Sequence, residues 1–314
     1  MPHTLLGLHH VTATVDDAQA DLDFCLDLLG LRLVKKTVNF DNRHVYHFYY
    51  GTERGAPGTI WTTFPYKGKG VRAGVKGAGQ VVATALSVPA DSLDEWRRRC
   101  EVRGAAVQEI AGRCGETGLR MDDPSGLRLE LLGTDRDTRE PWEGGGIAPE
   151  CAIRGLHGVT AVVHALEPTL EMLTGLLGLR VVAREGNRTR LGAGGDAPGH
   201  LIDVVVDPQA ERAVNGIGTV HHVALAIATA DEQRRLREDL VAMRVAVTEI
   251  RDRCYFQSIY FREPGGVLIE VATIQPGFTI DESLAELGRG LKLPPWEAPH
   301  RADIENGLPS IAYR

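Results

Sequence analysis

Cysteine is scarce in this 314-residue sequence, and the few cysteines form no paired motif. They are Cys25, Cys100, Cys114, Cys151 and Cys254, which are scattered, odd in number and never spaced as CxxC. This usage argues against a disulfide framework and against a cysteine-ligated zinc site. It predicts reduced thiols in a cytoplasmic protein.

Long apolar runs and clusters of positive charge are also missing. No apolar run approaches the roughly 20 residues of a membrane helix, and the N-terminus lacks the pattern of a signal peptide. The formal net charge is −7, and no Lys/Arg cluster stands out. Neither a membrane nor a nucleic acid is therefore expected as a partner. The hydrophobic content of 43% and charged content of 25% fit a soluble globular protein.

Three segments repeat a histidine within a run of strand-forming residues. They are "GLHHVTATV" (7–15), "GLHGVTAVV" (155–163) and "TVHHVALAI" (219–227). The first histidine occurs in all three segments, and the second occurs in only two of them. A recurrence of this kind calls for alignment of the chain with itself.

An amphipathic helix is predicted after each of the first two segments, from "LDFCLDLLGLRLV" and "LEMLTGLLGLRVV". One helical face is formed by apolar residues spaced i, i+3, i+4 and i+7, namely Leu22, Cys25, Leu26 and Leu29. Gly30 and Gly178 stand where a C-cap glycine belongs, both 20 residues after the second position of the pair. This shared register indicates an internal duplication.

Two fainter copies complete the pattern, one starting from "QVVATALSV" and one from "TVHHVALAI". Each copy ends in a turn followed by a strand. The predicted fold class is α+β, with four βαβββ modules at about 5–65, 78–134, 153–207 and 217–274. Segments 66–79 and 135–150 are predicted linkers. The second linker is the better boundary, which divides the chain into 1–147 and 148–314, each with two modules.

A single βαβββ module leaves one sheet face uncovered, so the modules are expected to pair around a shared space. This arrangement resembles the vicinal oxygen chelate superfamily, which contains glyoxalases, fosfomycin- and bleomycin-resistance proteins and extradiol dioxygenases. The resemblance covers most of the chain. It implies two cupped-sheet barrels and a metal site in a cup that two modules build together.

Alignment of the four module sequences identifies which pair of modules has a complete ligand set. The second-histidine column contains His10, Ala83, Gly158 and His222. The column from the last strands contains Thr62, Glu130, Asp203 and Glu270. Only modules 1 and 4 combine two histidines with a carboxylate, as His10, His222 and Glu270. These two modules are therefore predicted to share the functional cup, and the middle pair to form a cup without metal.

A facial set of two histidines and one carboxylate suits non-haem Fe(II), which binds dioxygen and substrate side by side. The same ligands tolerate Mn(II) and other divalent metals. The predicted cofactor is therefore Fe(II), with dioxygen as co-substrate.

The stretch "SIYFREPGGVLIE" (258–270) resembles the second half of the extradiol dioxygenase signature. A tyrosine, an acidic-Pro turn, a glycine and a ligand glutamate occur in order, here as Tyr260, Glu263-Pro264, Gly266 and Glu270. One position departs from that signature. Its histidine before the tyrosine falls here on the segment "RDR" (251–253). An arginine cannot act as a base near neutral pH, although it can stabilise an anionic substrate.

That departure favours a closer resemblance, to the hydroquinone ring-cleaving dioxygenases. It is carried by "LHHVTATVDDAQADLDFCLDLLGLRLVKKTVNFD", "GAPGTIWTTFP", "HHVALAI" and "YFQSIYFREPGGVLIE". By this resemblance His10, His222 and Glu270 are iron ligands. The groups expected around substrate and oxygen are Tyr260, His221 and Arg253 as catalytic residues and Thr12 and His9 as substrate-binding residues.

The first histidine of each pair conflicts with simple strand geometry. Neighbouring residues of a regular strand point to opposite faces, so His9 and His221 should point away from the metal. A role in the site requires a local twist of the strand. Thr12, by contrast, lies two residues after His10 and shares its face.

Two other functions remain open at this point. A glyoxalase-type isomerase or lyase would use a redox-inert metal to polarise a carbonyl, usually with a fourth ligand, for which Thr62 supplies no carboxylate. A resistance-type protein would bind a drug without metal or catalysis. The ring substituents of the aromatic substrate, the cleaved bond and the formation of a homo-oligomer are left open by the sequence.

Overall fold

A computed structural model of the chain describes residues 2–313, apart from the side chain of Ala111, and contains the four predicted βαβββ modules. The first module consists of β1 (Leu8–Val15), α1 (Ala18–Leu22), β2 (Arg32–Asn39), β3 (Asn42–Gly51) and β4 (Ile60–Pro65). The second consists of β5 (Gln80–Val88), α2 (Leu93–Val102), β6 (Gln108–Arg113), β7 (Glu116–Asp122) and β8 (Arg128–Gly133).

The second half of the chain repeats this order. The third module consists of β9 (Gly155–Val163), α3 (Glu167–Glu171), β10 (Arg180–Glu185), β11 (Arg188–Gly192) and β12 (Leu201–Val206). The fourth consists of β13 (Thr219–Ile227), α4 (Ala230–Ala242), β14 (Arg251–Asp252), β15 (Gln257–Arg262) and β16 (Leu268–Thr273). A last helix, α5, spans Arg301–Gly307. Short 3-10 turns occur at Ala90–Ser92, Glu143–Gly145, Phe278–Ile280, Leu284–Glu286 and Ala298–His300.

The helix of the first module differs from the regular α-helix that its spacing predicts. Asp17 caps α1 by accepting from two backbone N–H groups of the first turn. The next six residues, Asp23–Leu28, form a π-helix, and the backbone N–H of Leu29 donates to the carbonyl of Phe24 at 3.0 Å. Module 3 has the same feature at Met172–Leu176. The shared π segment is a further sign of duplication.

The predicted C-cap glycines and the apolar helix face are confirmed. Gly30 and Gly178 have φ angles of +65° and +71°, a region that favours glycine. Of the four residues on the predicted apolar face, Leu22, Cys25 and Leu29 are buried and Leu26 is partly buried. The helix therefore packs through the face that the sequence pattern predicts.

The strands form two eight-stranded sheets that join modules across the chain. One sheet has the order β14-β15-β16-β13-β1-β4-β3-β2, and the other β10-β11-β12-β9-β5-β8-β7-β6. Modules 1 and 4 thus share one curled sheet, called here the outer cup, and modules 2 and 3 share the middle cup. This pairing confirms the arrangement expected from the ligand columns. The boundary between residues 147 and 148 stays a prediction, since each sheet takes strands from both sides of it.

A β-bulge interrupts the first strand of every module at the same position. In the pairing of β1 with β13, Leu8 lies opposite Leu225 and His10 lies opposite Ala224, so His9 is an extra residue. The extra residues at the corresponding register shifts of the other modules are Val82, His157 and His221. The bulge supplies the local change of direction that a site role for His9 and His221 requires.

The C-terminal segment packs on the outside of module 1. Lys36 pairs with Leu291 in an isolated bridge, and the Tyr46 hydroxyl donates to the carbonyl of Pro309 at 3.1 Å. Buried Lys35 forms ion pairs with Asp281 and Glu282. Within residues 2–313, no helix has the length and apolar character needed to cross a membrane. All five cysteines are free.

Candidate metal centre

Three adjacent strands in the middle of the outer cup bring two histidines and a glutamate together. His10 lies on β1, His222 on β13 and Glu270 on β16. Glu270 lies opposite Ala224, two residues past His222. The same offset recurs in the other modules, where the pairs are Thr62 with Thr12, Glu130 with Ala85, and Asp203 with Thr160. The predicted register of the two columns is therefore confirmed.

The nitrogen and oxygen atoms of these three side chains converge on one point. His10 Nε2 lies 3.3 Å from His222 Nε2 and 3.2 Å from Glu270 Oε2, and the His222 Nε2 to Glu270 Oε2 distance is 2.7 Å. All three residues are buried. Among residues 2–313, this is the single group of three or more His, Cys, Asp or Glu side chains with ligand atoms so close together.

The donor set fits a divalent metal. Ligand atoms about 2.1 Å from a metal, at right angles to one another, lie about 3 Å apart. The three distances here match that separation. Glu270 Oε2 is also buried without a hydrogen-bond partner in the described part of the chain, although both imidazoles are close to it. The three atoms therefore face a common point rather than one another, as metal ligands do.

Electrostatics keeps Glu270 and His222 in the states that a metal requires. Burial alone would raise the pKa of Glu270, but His10 and His222 hold it well below its usual range, so the carboxylate is ionised. Burial lowers the pKa of His222 against the opposing effect of Glu270, so its imidazole is neutral near pH 7. An ionised carboxylate and a neutral imidazole are the metal-binding forms of these side chains.

The bulge histidines, His9 and His221, each contact one histidine of the site. His9 Nδ1 lies 2.9 Å from His10 Nδ1, and His221 Nδ1 lies 2.8 Å from His222 Nδ1. Burial, followed by the neighbouring histidine, lowers the pKa of both His9 and His221 to about 3, so both are neutral. A hydrogen bond at Nδ1 directs Nε2 of each site histidine toward the common point. The Phe256 ring packs against both His9 and His10, at centroid distances of 4.8 Å and 5.2 Å.

Ser258 was not identified from the sequence, and it orients the glutamate. Its hydroxyl donates to Glu270 Oε1, which leaves Oε2 for the common point. Ser258 precedes Tyr260 by two residues on β15, so the two share a strand face. That alternation within "SIYFREPGGVLIE" is the signal that could have indicated it.

A cavity of about 210 Å³ opens in front of the three side chains. Its wall is formed by His10, Thr12, Thr14, Asn39, Phe40, Asp41, His47, Tyr49, Phe64, Tyr66, His221, His222, Arg253, Phe256, Tyr260 and Glu270. Four residues expected around substrate and oxygen lie in this wall, namely Thr12, His221, Arg253 and Tyr260. The fifth, His9, lies behind His10. The volume suits a ligand with a single small ring more than an extended one.

Tyr260 and Arg253 act as a pair at one side of the cavity. Arg253 Nε donates to Tyr260 Oη at 3.1 Å, and the guanidinium lies 5.2 Å from the centre of the ring. Burial, assisted by Glu270 and opposed by Arg253, raises the pKa of Tyr260, so its phenol remains protonated. Because its oxygen accepts from Arg253, its hydrogen is available to an oxygen atom in the cavity. Asp41 lies 3.4 Å from the guanidinium of Arg253.

Thr62 occupies the place that a fourth protein ligand would need. Its hydroxyl donates to Thr12 Oγ1 at 2.9 Å and lies 2.9 Å from His47 Nε2. Since that hydroxyl has one hydrogen, which goes to Thr12, His47 Nε2 donates to Thr62. Burial lowers the pKa of His47 well below its usual value, in agreement with this neutral state. Thr62 therefore supplies no fourth group of metal-ligand type beside His10, His222 and Glu270.

The middle cup has carboxylates at the same register but neutralises them. Glu130 pairs with Arg113 at 2.6 Å, and Asp203 pairs with Arg190 at 2.7 Å and with Arg188 at 2.8 Å. The bulge histidine, His157, contacts Glu116 at 2.7 Å instead of a second histidine. Within the described residues, the middle cup accordingly contains a network of ion pairs and no group of metal-ligand type.

Comparison with known proteins agrees with this geometry. The family model for the Glyoxalase/Bleomycin resistance protein/Dioxygenase superfamily matches residues 7–131 and 155–271. MhqE of Bacillus subtilis (strain 168), provisionally named a ring-cleaving dioxygenase, is 44% identical over 305 residues, which cover 97% of this chain and 99% of MhqE. The chlorohydroquinone/hydroquinone 1,2-dioxygenase of Sphingobium indicum is 37% identical over 302 residues, which cover 94% and 93%.

Solved structures show the same relationship. A crystal structure from Bacillus subtilis subsp. subtilis str. 168, provisionally assigned as a dioxygenase, has a TM-score of 0.94 at 40% identity and covers 99% of both chains. Glyoxalase I from Zea mays has a TM-score of 0.64 at 14% identity, covering 85% of this chain and 92% of its own, a likeness of fold alone. The family model covers more than half of the chain, and relatives above 30% identity cover nearly all of it. The chain therefore belongs to the glyoxalase/bleomycin resistance protein/dioxygenase superfamily.

Proposed function

We propose that this protein is an Fe(II)-dependent dioxygenase that cleaves the ring of hydroquinone-like aromatics and incorporates both atoms of dioxygen. The observation that carries the proposal is the convergence of His10, His222 and the unpartnered Oε2 of Glu270 on the wall of a small cavity. Such a facial set, when it holds Fe(II), supplies neighbouring open positions for dioxygen and an ionised hydroxyl. The names of the relatives supply the reaction class and the kind of ring.

The residues around the triad have separate roles in this proposal. His9 and His221 orient the ligand histidines through their Nδ1 atoms, and Ser258 orients Glu270. His9 thus becomes a positioning residue rather than a substrate contact. The cavity wall limits substrate to a small aromatic and holds it in one orientation next to the triad.

Charge that develops on oxygen during the reaction is stabilised by the pair on β15 and its preceding loop. The Tyr260 hydroxyl offers a hydrogen bond to an oxygen in the cavity, and Arg253 strengthens that donor by hydrogen-bonding to its oxygen. His221 lies in the cavity wall, and because its Nδ1 contacts His222 Nδ1, its Nε2 is left to carry a hydrogen that can bond an oxygen of the substrate. Thr12 is available as a donor, because it accepts from Thr62.

The proposal is tested by metal content and oxygen uptake. Protein purified without oxygen and loaded with Fe(II) or Mn(II) should consume oxygen with hydroquinone, chlorohydroquinone or methylhydroquinone, with catechol as a parallel ring-cleavage substrate. One oxygen molecule should be consumed per ring opened, and ¹⁸O₂ should place both labelled atoms in the product. Binding of one metal per chain without oxygen uptake on any of these diols would favour a glyoxalase-type lyase. A protein that binds an aromatic ligand tightly without metal and consumes no oxygen would favour a drug-binding protein.

A further inference from the structure

Tyr49 occupies in module 1 the position that Tyr260 occupies in module 4. Tyr49 on β3 lies opposite Thr62 on β4, and Tyr260 on β15 lies opposite Glu270 on β16. In the order of the sheet, β3 and β15 lie on opposite sides of the central pair β1 and β13. The duplication therefore places two phenols on the two arms of the cup, and both line the cavity.

The ring of Tyr49 is fixed by its neighbours. Its centroid lies 4.0 Å from that of His47, 5.0 Å from that of Phe278 and 6.4 Å from that of Phe256. The side chain is 1% exposed. Its hydroxyl is therefore held in one place, and a ligand that binds to it meets a donor that is already ordered.

The hydroxyl of Tyr49 differs from every other tyrosine hydroxyl in the chain. The other six of the seven tyrosines each have a hydrogen-bond partner: Tyr46 with Pro309, Tyr50 with Asp21, Tyr66 with Asn39, Tyr255 with Asp281, Tyr260 with Arg253 and Tyr313 with Gly288. For Tyr49, the described residues 2–313 offer none, and Tyr49 is one of the residues that line the cavity.

A tyrosine hydroxyl without a protein partner, on a residue that lines a cavity, is free to bond a ligand there. Burial raises the pKa of Tyr49 well above its usual value, so the phenol carries a hydrogen to donate. Tyr49 pairs with Thr62 across β3 and β4, so the two side chains leave the same face of the sheet, and Thr62 in turn bonds Thr12. Substrate bound next to the triad would fill this side of the cavity.

Resting on the proposed function, we propose that Tyr49 is a substrate-binding residue that donates a hydrogen bond to a hydroxyl oxygen of the bound dihydroxy aromatic. Tyr49 and Tyr260 then contact the ligand from the two arms of the cup. Their roles differ, because Tyr260 is strengthened by Arg253 and Tyr49 has no such partner in residues 2–313. Tyr49 accordingly contributes to affinity for the diol more than to turnover.

The test compares Tyr49→Phe with Tyr255→Phe, both of which keep the ring and remove one hydroxyl. The dissociation constant of hydroquinone is measured by calorimetry on iron-loaded protein without oxygen, together with iron content and the thermal midpoint. Tyr49→Phe should weaken hydroquinone binding about 3- to 30-fold and raise KM, while iron content and thermal midpoint stay unchanged. Tyr255→Phe should lower the thermal midpoint, because its hydroxyl bonds Asp281 outside the cavity wall, and should leave hydroquinone binding unchanged.

The outcomes separate this proposal from the proposed function. Suppose that the wild-type protein consumes oxygen with hydroquinone and that Tyr49→Phe binds hydroquinone as tightly as the wild type. This result would overturn the role of Tyr49 and leave the proposed function standing. Weaker binding in Tyr49→Phe in a protein that binds hydroquinone without consuming oxygen would support the role of Tyr49 and overturn the dioxygenase. A wild-type protein that binds no diol at all would overturn both.

Discussion

The outer and middle cups are built from copies of one module in the same register, yet different side chains surround the carboxylates of the two cups. In the outer cup, Glu270 contacts two imidazoles and the Ser258 hydroxyl. In the middle cup, the carboxylates at that register pair with arginines: Glu130 with Arg113, and Asp203 with Arg188 and Arg190. A carboxylate in this column is therefore not enough to make a metal site. Side chains from other strands of the same sheet decide whether its charge is free for a cation.

The two cups also differ in the room for a side chain at the second-histidine position. At Gly158, an added Cβ would lie 2.8 Å from the backbone oxygen of Leu201 and 3.0 Å from its Cβ. β9 and β12 thus approach closely where β1 has room for His10. The glycine at the second position of "GLHGVTAVV" is part of the packing of the middle cup, which lacks both a second histidine and the room for one.

The largest effect should come from the glutamate column, where two identical changes can be compared. Glu270→Gln should lose stoichiometric iron and with it turnover, because an amide is a far weaker ligand and leaves the triad with two members. Glu130→Gln should keep wild-type iron content, while the free energy of unfolding falls by about 1–3 kcal/mol as Arg113 loses its partner. Metal analysis gives the iron content of both variants, and denaturant unfolding gives their free energies of unfolding. Loss of iron in Glu130→Gln would show that the wrong cup was assigned.

The second prediction separates turnover from metal binding within the outer cup. Tyr260→Phe should lower turnover by roughly ten- to a thousand-fold, about 1.4 to 4 kcal/mol of barrier, since the hydroxyl stabilises developing charge. Iron content should stay normal, because Tyr260 hydrogen-bonds Arg253 and is not one of the three converging side chains. Oxygen uptake by the iron-loaded variant provides the measurement. Wild-type turnover would reduce Tyr260 to a packing residue, and turnover lost in proportion to iron would make it a support of the ligands.

The bulge histidines provide a third comparison between the cups. His221→Gln should weaken metal binding about 10- to 100-fold, because His222 loses the partner that directs its Nε2. His157→Gln changes the same bulge position in the middle cup and should leave the metal dissociation constant unchanged. Competition with a chelator gives both constants. Equal metal dissociation constants in the two variants would show that the contact between His221 Nδ1 and His222 Nδ1 does not position His222.

The smallest effect concerns space in the middle cup. Gly158→Ala should lower the free energy of unfolding by about 1–3 kcal/mol, because the new methyl group meets the Leu201 backbone. Gly175→Ala serves as the control, since an added Cβ there has no atom within 4 Å among the described residues. Iron content should be unchanged in both. A fully stable Gly158→Ala protein would mean that the strands separate easily and that lack of space does not explain the missing histidine.

Much of the fold was predictable because duplication makes the chain its own comparison. Four copies of one pattern fix the order of strands and helices, and the column of His10 and His222 indicates that modules 1 and 4 pair. Glu270 could be placed because the turn glycine before each last strand sets a common register. The roles of these three residues as ligands stay a proposal.

The bulges and the partners of the ligands were beyond prediction for physical reasons. Regular alternation aims His9 and His221 away from the site. The bulges bring His221 into the cavity wall and His9 against His10, and no distinctive sequence signal marks them. Ser258 and Tyr49 reach the site from neighbouring strands, so their contacts depend on register between segments distant in the chain. The π segments likewise keep an apolar face that an α-helix would also present.

The most direct test is anomalous diffraction at the iron edge from crystals of protein loaded with Fe(II) without oxygen. The account predicts one strong peak per chain, about 2.0–2.2 Å from Nε2 of His10, Nε2 of His222 and Oε2 of Glu270. The middle cup should show no peak beside Glu130 or Asp203. A peak in the middle cup, or stoichiometric iron with no density at the three converging atoms, would contradict it.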